Sequence, residues 1–225
     1  MQTIETLLPN VVKYWDVFLQ AIIDTLIMVS VTLALVIIFG TLIGIILAVI
    51  SKGHLYQNAI LNAIIPKIVN LFRAIPFVIL LALLLPFTRL IVGTAIGVPG
   101  AIVPMVIAMT PFVSRQIELT LLEVDMGVIQ MARSMGFSKP YIVLRIMLSE
   151  ARAGIIRSFV ISSISIVSFA TMAGVIGGGG IGDFAIRYGY GRMMTDITFV
   201  SVIVLLVLVF SMQGIGNFIL RKTTH

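Results

Sequence analysis

The side chains that most often perform chemistry are few in this chain and lie apart from one another. Its two histidines, His54 and His225, are isolated from any carboxylate cluster with metal-ligand spacing, and there is no cysteine. Gly177, Gly179 and Gly182 satisfy a G-x-G-x-x-G pattern, but they follow a long apolar run rather than a strand. A phosphate-binding P-loop sequence is also missing. The sequence therefore predicts no catalytic, metal or cofactor site of its own.

The composition indicates a membrane protein. Hydrophobic residues make up 60% of the 225 residues and charged residues only 11%, far from the balance of a soluble domain. The formal net charge of +6 is spread between apolar runs, so membrane topology explains it better than nucleic-acid binding does. The first residues lack the basic region and cleavage site of a signal peptide, so we expect the N-terminus to be retained. We predict an all-α membrane protein in contact with lipid, without a nucleic-acid partner.

Five stretches are apolar enough to cross the bilayer, which requires roughly 20 residues of helix. The predicted spans cover about residues 25–51, 68–88, 92–114, 156–177 and 197–220. Only the second contains a charge well inside it. This is Arg73, which we place close enough to one end to reach the membrane surface. Small residues on the spans, such as Gly40 and Gly44, indicate close helix packing.

The basic residues predict the orientation of these spans. One side holds 11 of them, namely Lys52, Lys67, Arg73, Arg115, Arg133, Lys139, Arg145, Arg152, Arg157, Arg221 and Lys222. The other side holds 4, namely Lys13, Arg89, Arg187 and Arg192. By the positive-inside rule the first set is cytoplasmic. We therefore expect an extracytoplasmic N-terminal segment over residues 1–19, a transmembrane domain over 20–215 and a cytoplasmic tail over 221–225.

The cytoplasmic connection between the third and fourth spans predicts a helix, a turn and a second helix, over about residues 123–151. Residues 115–157 contain ten of the 24 charged residues of the chain, so the segment faces solvent. Apolar residues recur there at helical spacing at Val128, Met131, Ala132 and Met135. Gly136 suits the end of that helix, and Ser138 and Pro140 suit the start of the next. The apolar face either packs on the protein's own inner surface or docks on another subunit.

This loop resembles the EAA loop of bacterial ABC importer permeases. The resemblance rests on Gln-Met-Ala-Arg-Ser-Met-Gly over residues 130–136 and Ile-Met-Leu-Ser-Glu-Ala over residues 146–151. Gln130 stands where the family usually has glutamate, and Ser149 stands where it usually has proline. Further segments are similar to the methionine permease subgroup: residues 72–77, 86–89, 91–94, 101–104, 111–113 and 188–190.

The resemblance implies a type I ABC importer transmembrane domain in a bacterial inner membrane. It implies two ABC ATPase subunits on the cytoplasmic side, which carry ATP and Mg, and an extracytoplasmic methionine-binding lipoprotein. Five helices hardly enclose an amino-acid path, so we also expect a homodimer. The implied ATPase-coupling residues are Gln130, Met131, Ala132, Arg133, Met135, Gly136, Phe137 and Lys139. The expected docking residues for the binding protein are Asp183, Arg187, Tyr188, Tyr190 and Arg192.

Three alternatives stay open at this point. The cargo can be another small amino acid or organic solute, which sequence alone does not separate from methionine. An ion-coupled secondary transporter or channel subunit requires acidic residues deep in a span, and we find none. A membrane enzyme requires a cluster of carboxylates, histidines or nucleophiles, which this sequence lacks.

Overall fold

A computed structural model describes residues 7–223, and every regular element within them is a helix. The helices before the loop are α1 (Pro9–Lys13), α2 (Trp15–Ile50), α3 (Ala59–Ala74), α4 (Phe77–Val92) and α5 (Gly97–Leu122). The loop contains α6 (Met126–Ser134) and α7, which covers residues 139–150 and includes a wider π-helical turn. Then follow α8 (Arg152–Ala173), α9 over residues 180–190 and α10 (Thr195–Thr223). Residues 1–6 of the expected N-terminal segment, and residues 224–225 with His225, lie outside the described range.

Four of these helices are long and apolar enough to cross a membrane: α2, α5, α8 with its extension to Gly178, and α10. A fifth span arises only if α3 and α4 are counted together, and these two helices are bent by 105° at their junction. The span predicted over 68–88 is therefore not one continuous helix, and whether the bent pair crosses the membrane stays a prediction. Ile75 is extended, with ψ of 124°, because a residue before proline avoids the helical region, and Pro76 then starts α4.

The spans also extend beyond the charge-free runs that predicted them. α2 begins at Trp15 rather than near residue 25, and α5 continues to Leu122 rather than ending near 114. The extension of α5 includes Arg115 and the buried Glu118, whose side chains form an ion pair at 2.7 Å. A charge-free run measures the lipid-facing length of a helix, whereas the helix itself continues wherever its charges are paired or exposed.

The chain folds into two compact units, each assembled from segments distant in sequence. The first unit contains residues 7–35, 76–108 and 163–213. Its core cluster is formed by Val11, Phe18, Ala21, Ile181, Phe184 and Ile197. The backbone N–H of Ile181 donates to the Thr25 hydroxyl oxygen at 2.8 Å, which ties α9 to α2 within this unit.

The second unit contains residues 36–75, 109–162 and 214–223. It is organised around the close contact of α2 with α5. A Cβ atom at Gly40 would lie 2.7 Å from the side chain of Val113, and one at Gly44 would lie 2.6 Å from that of Ile117. Only glycine fits at these two positions, so the predicted close packing at Gly40 and Gly44 is confirmed.

The same unit places Arg73 against α5. Its guanidinium carbon lies 6.0 Å from the centre of the Phe112 ring on α5. Phe112 precedes Arg115, the first charged residue of α5, by three residues, which is about 4.5 Å of helix. Arg73 therefore lies beside the end of the charge-free run of α5, and its reach to the membrane surface stays a prediction.

Candidate coupling site

The short helix α6 has a defined start and a defined end. The Asp125 carboxylate accepts a hydrogen bond from the Gly127 N–H at 2.7 Å and caps the first turn. At the other end, Gly136 N–H donates to the Arg133 carbonyl at 3.0 Å, and Phe137 N–H donates to the Ala132 carbonyl at 3.2 Å. This pair of bonds is a Schellman motif, and it requires the left-handed φ of +82° at Gly136. The helix end predicted at Gly136 is confirmed.

The apolar residues of α6 are divided between two faces. Ile129 and Ala132 are buried, with 1% and 3% of their surface exposed, so one face is packed against the rest of the chain. Met131 and Met135 are 59% and 67% exposed. The predicted apolar face is therefore only partly covered within this chain, since Ala132 is buried and both methionines are exposed. Ala132 lies three residues from Ile129 and from Met135, so it borders both the buried and the exposed side of α6.

The other residues expected to couple to an ATPase surround these methionines. Gln130, Arg133, Gly136, Phe137 and Lys139 are all exposed. The Phe137 ring stacks on Tyr141 at 4.9 Å, and the Lys139 ammonium lies 5.1 Å from the Tyr56 ring centre. Sequence reasoning missed both tyrosines, although the i, i+4 spacing of Phe137 and Tyr141 is a signal for the first. The surface combines flexible thioethers, aromatic rings and two cations, which suits insertion into a partly acidic groove.

A partly buried histidine lies in the turn that precedes α3. Burial lowers the pKa of His54 from its ordinary value of 6.5, and its Nδ1 atom has no hydrogen-bond partner. His54 is therefore neutral at physiological pH. No group of three metal-ligating side chains occurs in the part of the chain that the structure describes.

The residues expected to dock a binding protein divide into an anchored set and an exposed residue. Arg187 pairs with Asp183 one helical turn away on α9. The ring centres of Tyr188 and Tyr14 are 4.9 Å apart. The Arg192 guanidinium lies 4.6 Å from the centre of the Tyr188 ring and donates a hydrogen bond to the Tyr14 hydroxyl oxygen at 3.1 Å. Tyr190 is 72% exposed. Sequence reasoning missed Tyr14, because nothing local links it to a segment more than 170 residues later.

An acidic cavity of about 380 Å³ lies next to this segment, within the first unit. Its charged lining consists of Asp16, Asp24, Asp183 and Arg187. Gln20 donates to Asp24 at 2.8 Å, which orients one of the carboxylates. The lining carries more negative than positive charge, so the cavity suits a cationic group rather than an anion. Sequence reasoning missed Asp16 and Asp24 because α2 brings them to α9 only in the folded chain.

Several apolar spans with a short exposed helix between two of them are the architecture of a polytopic membrane protein. The family described as binding-protein-dependent transport system inner membrane component matches residues 40–225. The chain belongs to this family. Its predicted identity as an importer permease and its predicted fold class are thereby confirmed.

Relatives match over three quarters or more of the chain. It is 41% identical over 221 residues to the probable D-methionine transport system permease protein MetI of Vibrio cholerae, covering 96% of this chain and 98% of that protein. It is 41% identical over 169 residues to the methionine import system permease protein MetP of Bacillus subtilis, covering 75% and 76%. A solved structure of the MetNI methionine ABC transporter, in an inward-facing conformation, matches with a TM-score of 0.92 and 35% identity, covering 95% of this chain and 99% of that one. An amino acid ABC transporter that is 17% identical shares the fold, with a TM-score of 0.77.

Proposed function

We propose that this chain is the permease subunit of an ATP-binding-cassette importer that moves methionine across the cytoplasmic membrane by alternating access. The observation that carries the proposal is similarity to two permeases of methionine transport systems, over 96% and 75% of this chain, and to the MetNI transporter over 95% of it. Two copies of the chain form the translocation path. Two separate ATPase subunits bind ATP and Mg and hydrolyse the nucleotide, so the permease itself acts as a transport subunit.

The exposed side of α6 docks on the ATPase. Met131 and Met135 enter a groove of that subunit, with Gln130, Arg133, Phe137 and Lys139 around them. Because Ile129 and Ala132 bury the neighbouring side of α6 in the second unit, a force on the methionines moves that unit with the helix. Closure of the ATPase subunits on ATP is therefore transmitted as a rigid-body movement of the spans.

The outer side carries the contact with the binding protein. The ratio of 11 to 4 basic residues supports an N-terminus outside and a C-terminus in the cytoplasm. Residues 183–192 then lie on the outer side, where the exposed Tyr190 contacts the extracytoplasmic binding protein. The acidic cavity beside Asp183 receives a basic side chain of that protein, and charge complementarity speeds the encounter.

Reconstitution tests this function directly. The permease is placed in liposomes with its ATPase and binding protein, and uptake of labelled methionine is measured with ATP, with a non-hydrolysable analogue and with other amino acids as competitors. We expect uptake that requires hydrolysis and that methionine competes for best. Uptake that persists without ATP would favour a secondary carrier. Preferential uptake of another amino acid would change the cargo and keep the mechanism.

A further inference from the structure

Two exposed cations from distant parts of the chain lie against one aromatic ring. The Lys13 ammonium is 5.4 Å and the Arg192 guanidinium carbon 5.7 Å from the centre of the Tyr14 ring. The Arg192 guanidinium also donates to the Tyr14 hydroxyl oxygen at 3.1 Å and lies 4.6 Å from the centre of the Tyr188 ring. Tyr14 therefore holds both positive charges over the same small area of the first unit.

The described part of the chain does not neutralise this pair. Neither of its two ion pairs includes Lys13 or Arg192. Asp196, four residues after Arg192, instead accepts hydrogen bonds from the backbone N–H of Asn10 at 2.9 Å and from its side-chain amide at 3.0 Å. Two like charges at one ring repel each other, so an anion bound from outside stabilises the pair.

Both cations stand directly before a helix that is long and apolar enough to cross a membrane. Lys13 precedes Trp15, the first residue of α2, and Arg192 precedes Thr195, the first residue of α10. The contact of Arg192 with Tyr14 brings these two helix starts together. The cations therefore lie where two spans begin.

The start of α2 shows which of its sides faces lipid. An apolar arc of residues that are 41% to 50% exposed recurs at helical spacing, and it consists of Trp15, Leu19, Ile23 and Leu26. The polar residues of the same turns line the acidic cavity instead, and they are Asp16, Gln20 and Asp24. The apolar arc extends the lipid-facing surface to Trp15. Tryptophan and tyrosine beside basic residues are typical of the boundary between acyl chains and headgroups.

We propose that Lys13, Tyr14 and Arg192 form a binding site for the phosphate of an anionic phospholipid at the membrane surface. The two cations bind the headgroup, the Tyr14 ring holds them in position, and the apolar arc that starts at Trp15 contacts the acyl chains. Basic residues beside a span attract anionic lipid, by about fivefold for each cation. A headgroup bound to both cations links the starts of α2 and α10. Lipid binding at this site does not depend on which solute the protein carries.

Trp15 is the only tryptophan of the chain, so its fluorescence reports lipid contact two residues from Lys13. The full chain is reconstituted into phosphatidylcholine vesicles that contain a fixed fraction of brominated phosphatidylglycerol or of brominated phosphatidylcholine, with the bromine atoms on the acyl chains near the headgroup. Bromine quenches tryptophan fluorescence at short range. We expect the anionic lipid to associate about 5-fold to 25-fold more tightly than the zwitterionic lipid. Added salt should reduce this preference, because it screens exposed charges.

The double variant Lys13→Gln, Arg192→Gln removes both charges and keeps a hydrogen-bond donor near Tyr14. The two lipids should quench it equally. The matched control, Lys52→Gln with Lys67→Gln, also removes two exposed cations, but Lys52 lies beyond the other end of α2 and Lys67 lies in α3. This control should keep the preference. The single variant Lys13→Gln leaves the contacts of Arg192 intact and should retain about a fifth of the preference, which gives a test if the double variant does not fold.

Three results overturn the inference: equal quenching of the unmodified chain by the two lipids, a preference that survives in the double variant, or a preference that does not respond to salt. An absence of quenching by either lipid would show that protein covers Trp15, and it overturns the inference as well. If the lipids quench equally and the double variant binds the extracytoplasmic binding protein more weakly, the two cations serve protein docking instead of lipid binding.

Discussion

Replacing both exposed methionines of α6 by glutamine tests whether this surface is the one that binds the ATPase. Glutamine has a length and a helix propensity similar to those of methionine, so Met131→Gln and Met135→Gln leave α6 intact. What changes is the apolar surface available for burial. The buried residues Ile129 and Ala132, which fix the helix to its unit, are untouched.

The size of the effect follows from the exposed surface. Full burial of a methionine side chain contributes about 1.5–3 kcal/mol. Met131 is 59% exposed and Met135 is 67% exposed, so complete burial in a partner adds about 1–2 kcal/mol for each residue and about 2–4 kcal/mol for both. At about 1.4 kcal/mol per tenfold, the double variant should bind the ATPase roughly 30-fold to 1,000-fold more weakly.

Titration of the solubilised permease with its ATPase measures this affinity, and ATP-driven uptake measures the consequence. The control is Met193→Gln, because Met193 is 83% exposed but lies in the segment after α9, which is not expected to contact the ATPase. It should leave the affinity for the ATPase unchanged. A double variant that binds less than about threefold more weakly would show that the two methionines stay in solvent in the complex, and the coupling surface would then have to be sought elsewhere.

Three further perturbations test the local structure. Gly136→Val should destabilise the turn by about 1–2 kcal/mol and reduce uptake, because the backbone φ at Gly136 is +82°. Gly136→Asn should be tolerated, since asparagine adopts this conformation more readily. Equal uptake by both variants would contradict the need for a left-handed residue at this position. Gly44→Ala should lower the stability by about 1–3 kcal/mol, since the new methyl group meets Ile117. The methyl group of Gly214→Ala meets nothing, so that variant should be neutral or slightly stabilising. Equal melting temperatures of the two variants would refute the close packing of Gly44 against α5. The lowered pKa of His54 means that the folded protein binds fewer protons than the unfolded one, so the contribution of His54 to stability is complete above pH 6.5 and falls below it. Between pH 7.5 and 5.5 the melting temperature of His54→Gln should therefore fall less than that of the unmodified protein. Parallel curves for the two proteins would exclude this histidine as a source of the pH dependence.

The spans α5, α8 and α10 were predictable because transfer into lipid depends on composition and length over a local window. The break between α3 and α4 was not predictable from the sequence. Pro76 is visible there, but proline is tolerated inside membrane helices when neighbouring groups satisfy the freed backbone. Whether it bends a helix therefore depends on what surrounds it.

Helix α6 was predictable in position and only partly in orientation. Its cap at Asp125 and its end at Gly136 act through hydrogen bonds within one or two turns, and Gly136 could be recognised in the sequence. The choice of buried side could not, because both arcs of α6 carry apolar residues. Packing against the rest of its unit selects Ile129 and Ala132 and leaves Met131 exposed.

The sequence by itself determined the membrane class, the all-helical fold, the charge asymmetry of the loops and the helix end at Gly136, because each follows from composition or from contacts within a few residues. Only the tertiary structure decided that Arg192 lies against Tyr14, that Arg73 lies beside Phe112 and that the exposed methionines are separate from the buried face of their helix. Burial and depth depend on which distant segments pack together, and a local pattern of residue types does not contain that information.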